Sequence, residues 1–320
     1  MKIVIPDDFQ DAVRTLDCFS KLDGHDVTVY NDSVTDVDVL AQRFQDAEAL
    51  VLIRERTAIG EALLSRLPNL KLIAQTGRGM PHLDLAACTR HGVLVTSGGG
   101  SPTATAELTW GLVLAAMRRI PQEVSSMKAG RWQSHMGIGL SGRTLGIFGY
   151  GKIGSVVSGY GRAFGMKVIV WGREGSLTRA AADGYETVSS QTALFEQSDV
   201  LCLHVKLAKE TRGIVTASDL AAMKPTAVLV NTSRADLIEA GALVAALKAG
   251  RPGMAAVDVY ETEPTVDHPL LQLENAICTP HIGYVEKDSY ELFFGSVFDR
   301  LLAYITGHPF DVANPDVLSR

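Results

Sequence analysis

One short stretch near the middle of the chain constrains the fold more than any other. The apolar run Thr144–Phe148 passes directly into Gly149-Tyr150-Gly151-Lys152-Ile153-Gly154, and a helical pattern through Phe164 and a second apolar run, Lys167–Trp171, follow. A strand that enters Gly-x-Gly-x-x-Gly and leaves as a helix opens a βαβ unit. Gly149 permits the tight turn, Gly151 lets backbone approach a pyrophosphate, and Gly154 lets the helix pack close to the strand. Unpaired N–H groups at the helix start, favoured by the helix dipole, form a seat for phosphate oxygens. The alternative is a glycine-rich turn without a ligand. The complete strand–turn–helix–strand context favours a dinucleotide, with Gly149, Gly151, Lys152, Ile153 and Gly154 as its contacts.

The same rhythm runs through the rest of the chain. Strand candidates in the first hundred residues are Lys2–Ile5, Val27–Tyr30, Ala49–Ile53, Lys71–Ala74 and Val93–Thr96. They are continuous apolar runs rather than alternating ones, as parallel strands covered on both faces require. The cluster Ser97-Gly98-Gly99-Gly100-Ser101-Pro102 marks a boundary. A helix from about Thr103 to Arg119 follows, apolar around most of its circumference, so it is expected between layers or at a subunit contact. A second αβ series has strands at Thr144–Phe148, Lys167–Trp171, Val200–His204, Ala227–Val230, Met254–Val257 and Ala276–Thr279. The last helical stretch, about Tyr284 to Tyr304, sets Tyr290, Phe294, Val297, Leu301 and Tyr304 on one stripe. That stripe is expected to return to the first domain and make it discontinuous.

Composition narrows the function classes. With 320 residues, at roughly 150 per domain, two domains are expected. A net charge of −6 without charge blocks argues against nucleic-acid and anionic-membrane partners, which need a concentrated basic surface. Cys18, Cys88, Cys202 and Cys278 lie far apart with no Cys-x-x-Cys pair, so neither a disulfide framework nor a zinc site is expected, and no metal is. The longest apolar stretch, around Leu108 to Met117, falls short of the ~20 residues of a membrane span. The N-terminus enters a strand at once, without signal-peptide organisation, and no regulatory domain is expected after the last helix. A cytoplasmic protein is the default.

The expected cofactor is NAD(H) or NADP(H). The second strand of a dinucleotide fold ends in an acidic residue for the adenosine ribose, but here the run reads Val170-Trp171-Gly172-Arg173-Glu174. Arg173 suits a 2′-phosphate, Glu174 suits a free 2′-hydroxyl, and both also suit a solvated turn. The choice stays open.

Three titratable residues follow strands in the second half: Arg234 after Val228-Leu229-Val230-Asn231-Thr232-Ser233, Glu263 in Asp258-Val259-Tyr260-Glu261-Thr262-Glu263-Pro264, and His281 in Cys278-Thr279-Pro280-His281-Ile282-Gly283. Ligands of open α/β sheets bind outside the carboxyl ends of strands, where these three would converge. Singly, each has a bland reading: a surface ion pair, a turn carboxylate, a satisfied histidine. Together with the glycine turn, the chain resembles the D-isomer-specific 2-hydroxyacid dehydrogenase family over nearly its whole length. The resemblance is carried by Gly77-Arg78-Gly79 with Asp84-Leu85, Ala106-Glu107, Gly142-Arg143-Thr144-Leu145-Gly146, Asn231-Thr232-Ser233-Arg234, the Asp258–Pro264 segment and Thr279–Gly283.

The resemblance implies an α/β fold of two doubly wound parallel-sheet domains. A Rossmann cofactor domain (101–284) is inserted into a discontinuous flavodoxin-like substrate domain (1–100 plus 285–320), with hinge closure and a homodimer through the cofactor domain. It implies hydride transfer between a nicotinamide dinucleotide and C2 of a D-2-hydroxy acid or 2-oxo acid. Arg234 would clamp the carboxylate with its planar fork, and His281 would exchange the proton on the carbonyl oxygen. Glu263 would orient the imidazole and favour its charged form. Thr232 and Asp258 are placed at the cofactor, Asp258 at the nicotinamide amide, and backbone around Arg78 and Gly79 is placed at the substrate carboxylate.

Two segments depart from the family pattern, Met80-Pro81-His82-Leu83 and His204-Val205-Lys206-Leu207, and a third, Ile53-Arg54-Glu55-Arg56-Thr57, resembles the segment that in phosphoglycerate dehydrogenases carries a basic residue towards the phosphate, with an unusual Glu55. The second, with Gly172 and Arg173, bears on cofactor preference. In the third, Arg54 is a candidate for a substrate phosphate or second carboxylate, which Glu55 beside it would repel; a structural ion pair is the alternative. Two further functions fit the same residues: a dinucleotide-gated binding protein of corepressor type, and a dehydrogenase of formate or phosphite type.

Overall fold

The computed structural model describes residues 1–319. The chain divides into two compact units, Met1–Ser101 with Val285–Arg320, and Pro102–Tyr284. The first carries five parallel strands, β1 (Lys2–Ile5), β2 (Asp26–Val29), β3 (Ala49–Leu52), β4 (Leu72–Gln75) and β5 (Leu94–Ser97), in the order β2-β1-β3-β4-β5. This is the flavodoxin-like order. One face packs Val4, Leu50, Leu52, Ile73 and Val95 against Leu40 and Phe44 of the helix Val37–Phe44. That helix starts where Asp36 Oδ1 accepts from Asp38 N and Val39 N at 2.8 and 3.0 Å, a cap that contributes about 1 kcal/mol.

The helix Lys287–Ile305 packs on β4. It buries Phe294, Val297, Phe298 and Leu301 almost completely, each contributing about 1.5–3 kcal/mol. Tyr290 is buried and Tyr304 half-buried on the same stripe. Glu286 sets its start, accepting from Ser289 N and Asp288 N, so the helix begins at Lys287 rather than Tyr284. Beyond it, Asn314 donates to Val93 O and accepts from Val95 N, and the chain bridges β5 at Thr96. The edge of the sheet is thereby covered.

The second unit holds seven parallel strands: β6 (Thr144–Phe148), β7 (Lys167–Trp171), β8 (Glu186–Thr187), β9 (Val200–Leu203), β10 (Val228–Asn231), β11 (Met254–Val257) and β12 (Ala276–Cys278). Their order, β12-β11-β10-β9-β6-β7-β8, is the doubly wound Rossmann arrangement with one added strand. Successive residues serve opposite faces: Ile147, Val170, Cys202 and Val230 join the core of Trp110, Val113 and Val157. Phe148, Ile169, Leu201 and Leu229 join that of Phe195, Leu220 and Leu243. Continuous apolar strands are the sequence signature of that double coverage.

One further helical expectation is corrected. The helix read as Thr103–Arg119 ends at Met117, because Arg119 is left-handed (φ 55°) and a second helix, Ile120–Lys128, starts beyond it with Pro121 in its first turn. Strand ends also shift by about a residue: β2 begins at Asp26, and Ile53, His204 and Thr279 lie beyond β3, β9 and β12. All four cysteines are free, Cys88 and Cys202 buried and the other two half-buried. Among the described residues no helix is long and apolar enough to cross a membrane.

Candidate active site

In the second unit every candidate lies at the carboxyl end of a strand. The glycine turn follows β6. Gly149 has φ 98°, and a Cβ there would lie 2.8 Å from His204 O; one on Gly154 would lie 2.3 Å from Gly149 O. Both close approaches require glycine. A Cβ on Gly151 would meet nothing within 4 Å, so that position is open rather than packed. The following helix, Lys152–Ala163, has no side-chain cap, and its first bond runs from Ser155 N to Gly151 O. The N–H groups of Lys152, Ile153 and Gly154 precede that bond and suit an anion. These features fit a pyrophosphate.

At the end of β7, Gly172 packs beside the turn, where a Cβ would sit 3.5 Å from Gly149 Cα. Arg173 and Glu174 are exposed at the start of the helix Glu174–Ala182. Among the described residues Arg173 has no carboxylate partner.

After β10, the buried Asn231 side chain shapes the next turn: its Nδ2 donates to Arg234 O at 2.9 Å and its Oδ1 accepts from Ser233 N at 3.0 Å. Arg234 Nη1 donates to Ser233 O at 2.7 Å. Thr232 is buried with its hydroxyl 2.7 Å from that of Thr109, so its side chain faces the helix Thr103–Met117.

The segments after β11 and β12 bring Glu263 and His281 together. His281 Nδ1 lies 2.5 Å from Glu263 Oε2, and the carboxylate assigns Nδ1 as the protonated nitrogen. Among the described residues nothing bonds the imidazole Nε2, and the side chain is 24% exposed, so this nitrogen is the one open to a ligand. Burial works to raise the Glu263 pKa, but the hydrogen bond and charge of His281, the Tyr260 N–H and the Arg234 charge outweigh it. The carboxyl is held below its ordinary value. Arg234 therefore acts electrostatically on Glu263.

His281 itself is left-handed (φ 51°), a conformation that costs a non-glycine residue about 1 kcal/mol or more. Asp258 holds it there. Its Oδ1 accepts from Thr279 Oγ1 and Ile282 N at 2.6 and 2.8 Å, and its Oδ2 from Gly283 N at 2.8 Å. Burial pushes the Asp258 pKa up against these bonds. Asp258 thus bonds both sides of the histidine, a function the sequence did not disclose.

In the first unit, Arg54 follows β3 and Gly77-Arg78-Gly79 follow the adjacent β4. Arg54 is left-handed (φ 56°); its N–H donates to Thr76 Oγ1 at 2.8 Å and its carbonyl accepts from Gln75 Nε2 at 2.6 Å. Its guanidinium carbon lies 5.6 Å from the Phe293 ring centroid, and Gly77 leaves room for it: a Cβ there would be 2.2 Å from Arg54 Nη1. Arg78 and Gly79 are exposed. Gln75, Thr76 and Asn231 were missed as positioning residues. The available signal was a polar residue ending an otherwise apolar buried strand. Among the described residues no group of His, Cys, Asp and Glu is placed to hold a metal.

Comparison with known proteins adds four findings. The family model described as "D-isomer specific 2-hydroxyacid dehydrogenase, NAD binding domain" matches residues 110–283. A glyoxylate reductase of Thermococcus litoralis is 36% identical, with 88% of each chain covered. A D-3-phosphoglycerate dehydrogenase of Methanocaldococcus jannaschii is 37% identical over 84% of this chain, which spans about half (52%) of its length. Among solved structures, a Ralstonia solanacearum oxidoreductase provisionally named D-3-phosphoglycerate dehydrogenase superimposes with TM-score 0.98 at 57% identity, covering 100% of this chain and 98% of that one.

Proposed function

The chain belongs to the D-isomer specific 2-hydroxyacid dehydrogenase family, and on that premise we propose that it interconverts a 2-oxo acid and a D-2-hydroxy acid with His281 as the acid/base. The observation that carries this is the His281–Glu263 pair within reach of the Arg234 charge.

A nicotinamide dinucleotide bound on the glycine turn would supply or accept the hydride at substrate C2. Arg234, on its Asn231-shaped turn, binds the substrate carboxylate through a planar two-donor fork. In the reductive direction His281 Nε2 gives its proton to the 2-carbonyl oxygen, and in the oxidative direction it takes it back. Glu263 fixes Nδ1–H as the tautomer and stabilises the charged ring. Asp258 keeps the histidine segment in place, with the nicotinamide amide as its further contact. The Thr232 turn borders the cofactor, and backbone around Arg78 and Gly79 supplies the second carboxylate anchor. Arg54 is carried over from the family resemblance as a further substrate contact.

For the adenosine end, Gly172 offers no carboxylate to a ribose diol and Arg173 is exposed, which favours NADP(H) over NAD(H). A homodimer through the second unit is supported by exposed apolar side chains on one stretch, Met127, Trp132 and Met136 being 59, 75 and 93% exposed. A monomer by sedimentation velocity would refute that contact.

Activity is tested by following NADPH and NADH oxidation with glyoxylate, hydroxypyruvate, pyruvate and phosphohydroxypyruvate. The His281→Ala variant should lose turnover by about 10²-fold or more while still binding dinucleotide. Full turnover by that variant would refute the assignment.

A further inference from the structure

We propose that Arg179, together with Ser176, forms a second arm of the adenosine site and selects a nucleotide phosphorylated on its 2′-oxygen over one with a free 2′-hydroxyl. The inference rests on the reading of Gly172 and Arg173 as the adenosine end, and adds to it two residues of the helix that follows. All the contacts lie within the second unit.

Arg179 belongs to the helix Glu174–Ala182, more than a turn beyond the end of β7, but its guanidinium lies further back. Helical side chains lean toward the N-terminus of their helix, and this one reaches the first turn: a Cβ on Gly175 would be 3.6 Å from Arg179 Nη1. Two contacts hold it there. Arg179 Nη2 donates to Tyr150 O, inside the glycine turn, at 2.9 Å and to Ser176 Oγ at 3.4 Å. Ser176 in turn borders the strand end, its Cβ 3.4 Å from where a Cβ on Gly172 would sit. The guanidinium is therefore fixed between the glycine turn and the end of β7, the region that takes the adenosine ribose in doubly wound folds.

The donors left over suit a phosphate. Nη2 is committed to Tyr150 and Ser176, while Nε and Nη1 make no hydrogen bond among the described residues, and the Ser176 hydroxyl accepts from Arg179 and keeps its own proton to donate. The carboxylates nearest in sequence are Glu174 and Asp183. Among the described residues neither forms an ion pair with Arg173 or Arg179, and Asp183 Oδ2 accepts from the Tyr150 hydroxyl at 2.6 Å. Two arginines against one exposed glutamate leave the strand end cationic. A 2′-phosphate offers several acceptor oxygens to a guanidinium and a hydroxyl. A free 2′-hydroxyl needs an acceptor, which Gly172 does not supply.

Calorimetric titration of the protein with adenosine 2′,5′-bisphosphate and with adenosine 5′-monophosphate tests this without turnover. Wild type should favour the bisphosphate at least about tenfold. Arg179→Gln should narrow that preference about fivefold or more, and Arg179→Lys, which keeps the charge, should retain more of it. The ratio of kcat/KM for NADPH to that for NADH should fall in the same order. A disturbed glycine turn would weaken both nucleotides alike. Equal losses, or an unchanged ratio in a Gln variant that melts near wild type, therefore overturn the role of Arg179 and leave the Arg173 reading standing. A wild type that binds the two nucleotides equally, or prefers the monophosphate, overturns both; the dehydrogenase reading is judged separately, by turnover in His281→Ala.

Discussion

Replacing Gly172 by Asp tests the reading of the adenosine end directly. Gly172 directly follows β7 beside the glycine turn, and its φ lies outside the left-handed region, so an L-residue is allowed. The Cβ would sit 3.4 Å from Ser176 Cβ and 3.5 Å from Gly149 Cα, ordinary van der Waals contact. The substitution therefore adds a carboxylate at the strand end without forcing the backbone. Toward a ribose diol, a charge-assisted hydrogen bond is worth about 1.5–3 kcal/mol. Toward a 2′-phosphate about 5 Å away, the new charge costs about 1–3 kcal/mol per unit charge between effective dielectrics of 80 and 20. Solvent exposure favours the lower figures, which together still exceed about 2 kcal/mol, or ~30-fold. The assay is the ratio of kcat/KM for NADH to that for NADPH at fixed 2-oxo acid, with the melting temperature measured alongside. The ratio should rise about 30-fold or more. A change under about threefold, in a variant that melts near wild type, would refute the placement of the ribose at Gly172.

Two further outcomes follow from buried groups. Asp258→Ala removes the acceptor of three hydrogen bonds around His281 and should destabilise the protein by about 3–5 kcal/mol. It should also lower kcat more than it weakens dinucleotide binding; equal losses in both would place Asp258 at the cofactor alone. His204 sits at the end of β9, and burial pushes its pKa from 6.5 to about 4. The unfolded chain takes up a proton below pH 6.5 that the folded chain refuses until about pH 4. Stability is therefore full above pH 6.5 and falls by about 3 kcal/mol as pH drops to 4. His204→Asn should flatten the melting temperature across that window relative to wild type, and an unchanged slope would count against it.

Parts of the fold were legible because their physics is local. The βαβ unit at 144–171 could be read from its glycines and from apolar runs that only a doubly covered strand tolerates. The break at Arg119 was not legible, because the pattern stays helical on both sides and the left-handed residue carries no special side chain. The helix Ile120–Lys128 escaped notice as its apolar residues, Ile120, Val124 and Met127, face outward. The two-residue β8 is too short and too polar to register. In the site, Glu263 and His281 are eighteen residues apart on different strand ends, and no spacing rule joins them. They became a pair in sequence only through the family resemblance. The bond from Gln75 Nε2 to Arg54 O joins residues from the ends of two strands and is visible only in three dimensions.

The histidine, the carboxylate that orients it, the aspartate that bonds the residues around it and the arginine that shares their field all belong to one unit. Their geometry is maintained by bonds among residues 231 to 283. The residues proposed as further substrate contacts, Arg54, Arg78 and Gly79, belong to other stretches of chain. Such a division makes the enzyme modular in evolution. Under the proposed roles, loops after β3 and β4 can be rewritten for a new side chain while the His281 apparatus is inherited intact, so substrate preference can diverge faster than the chemistry.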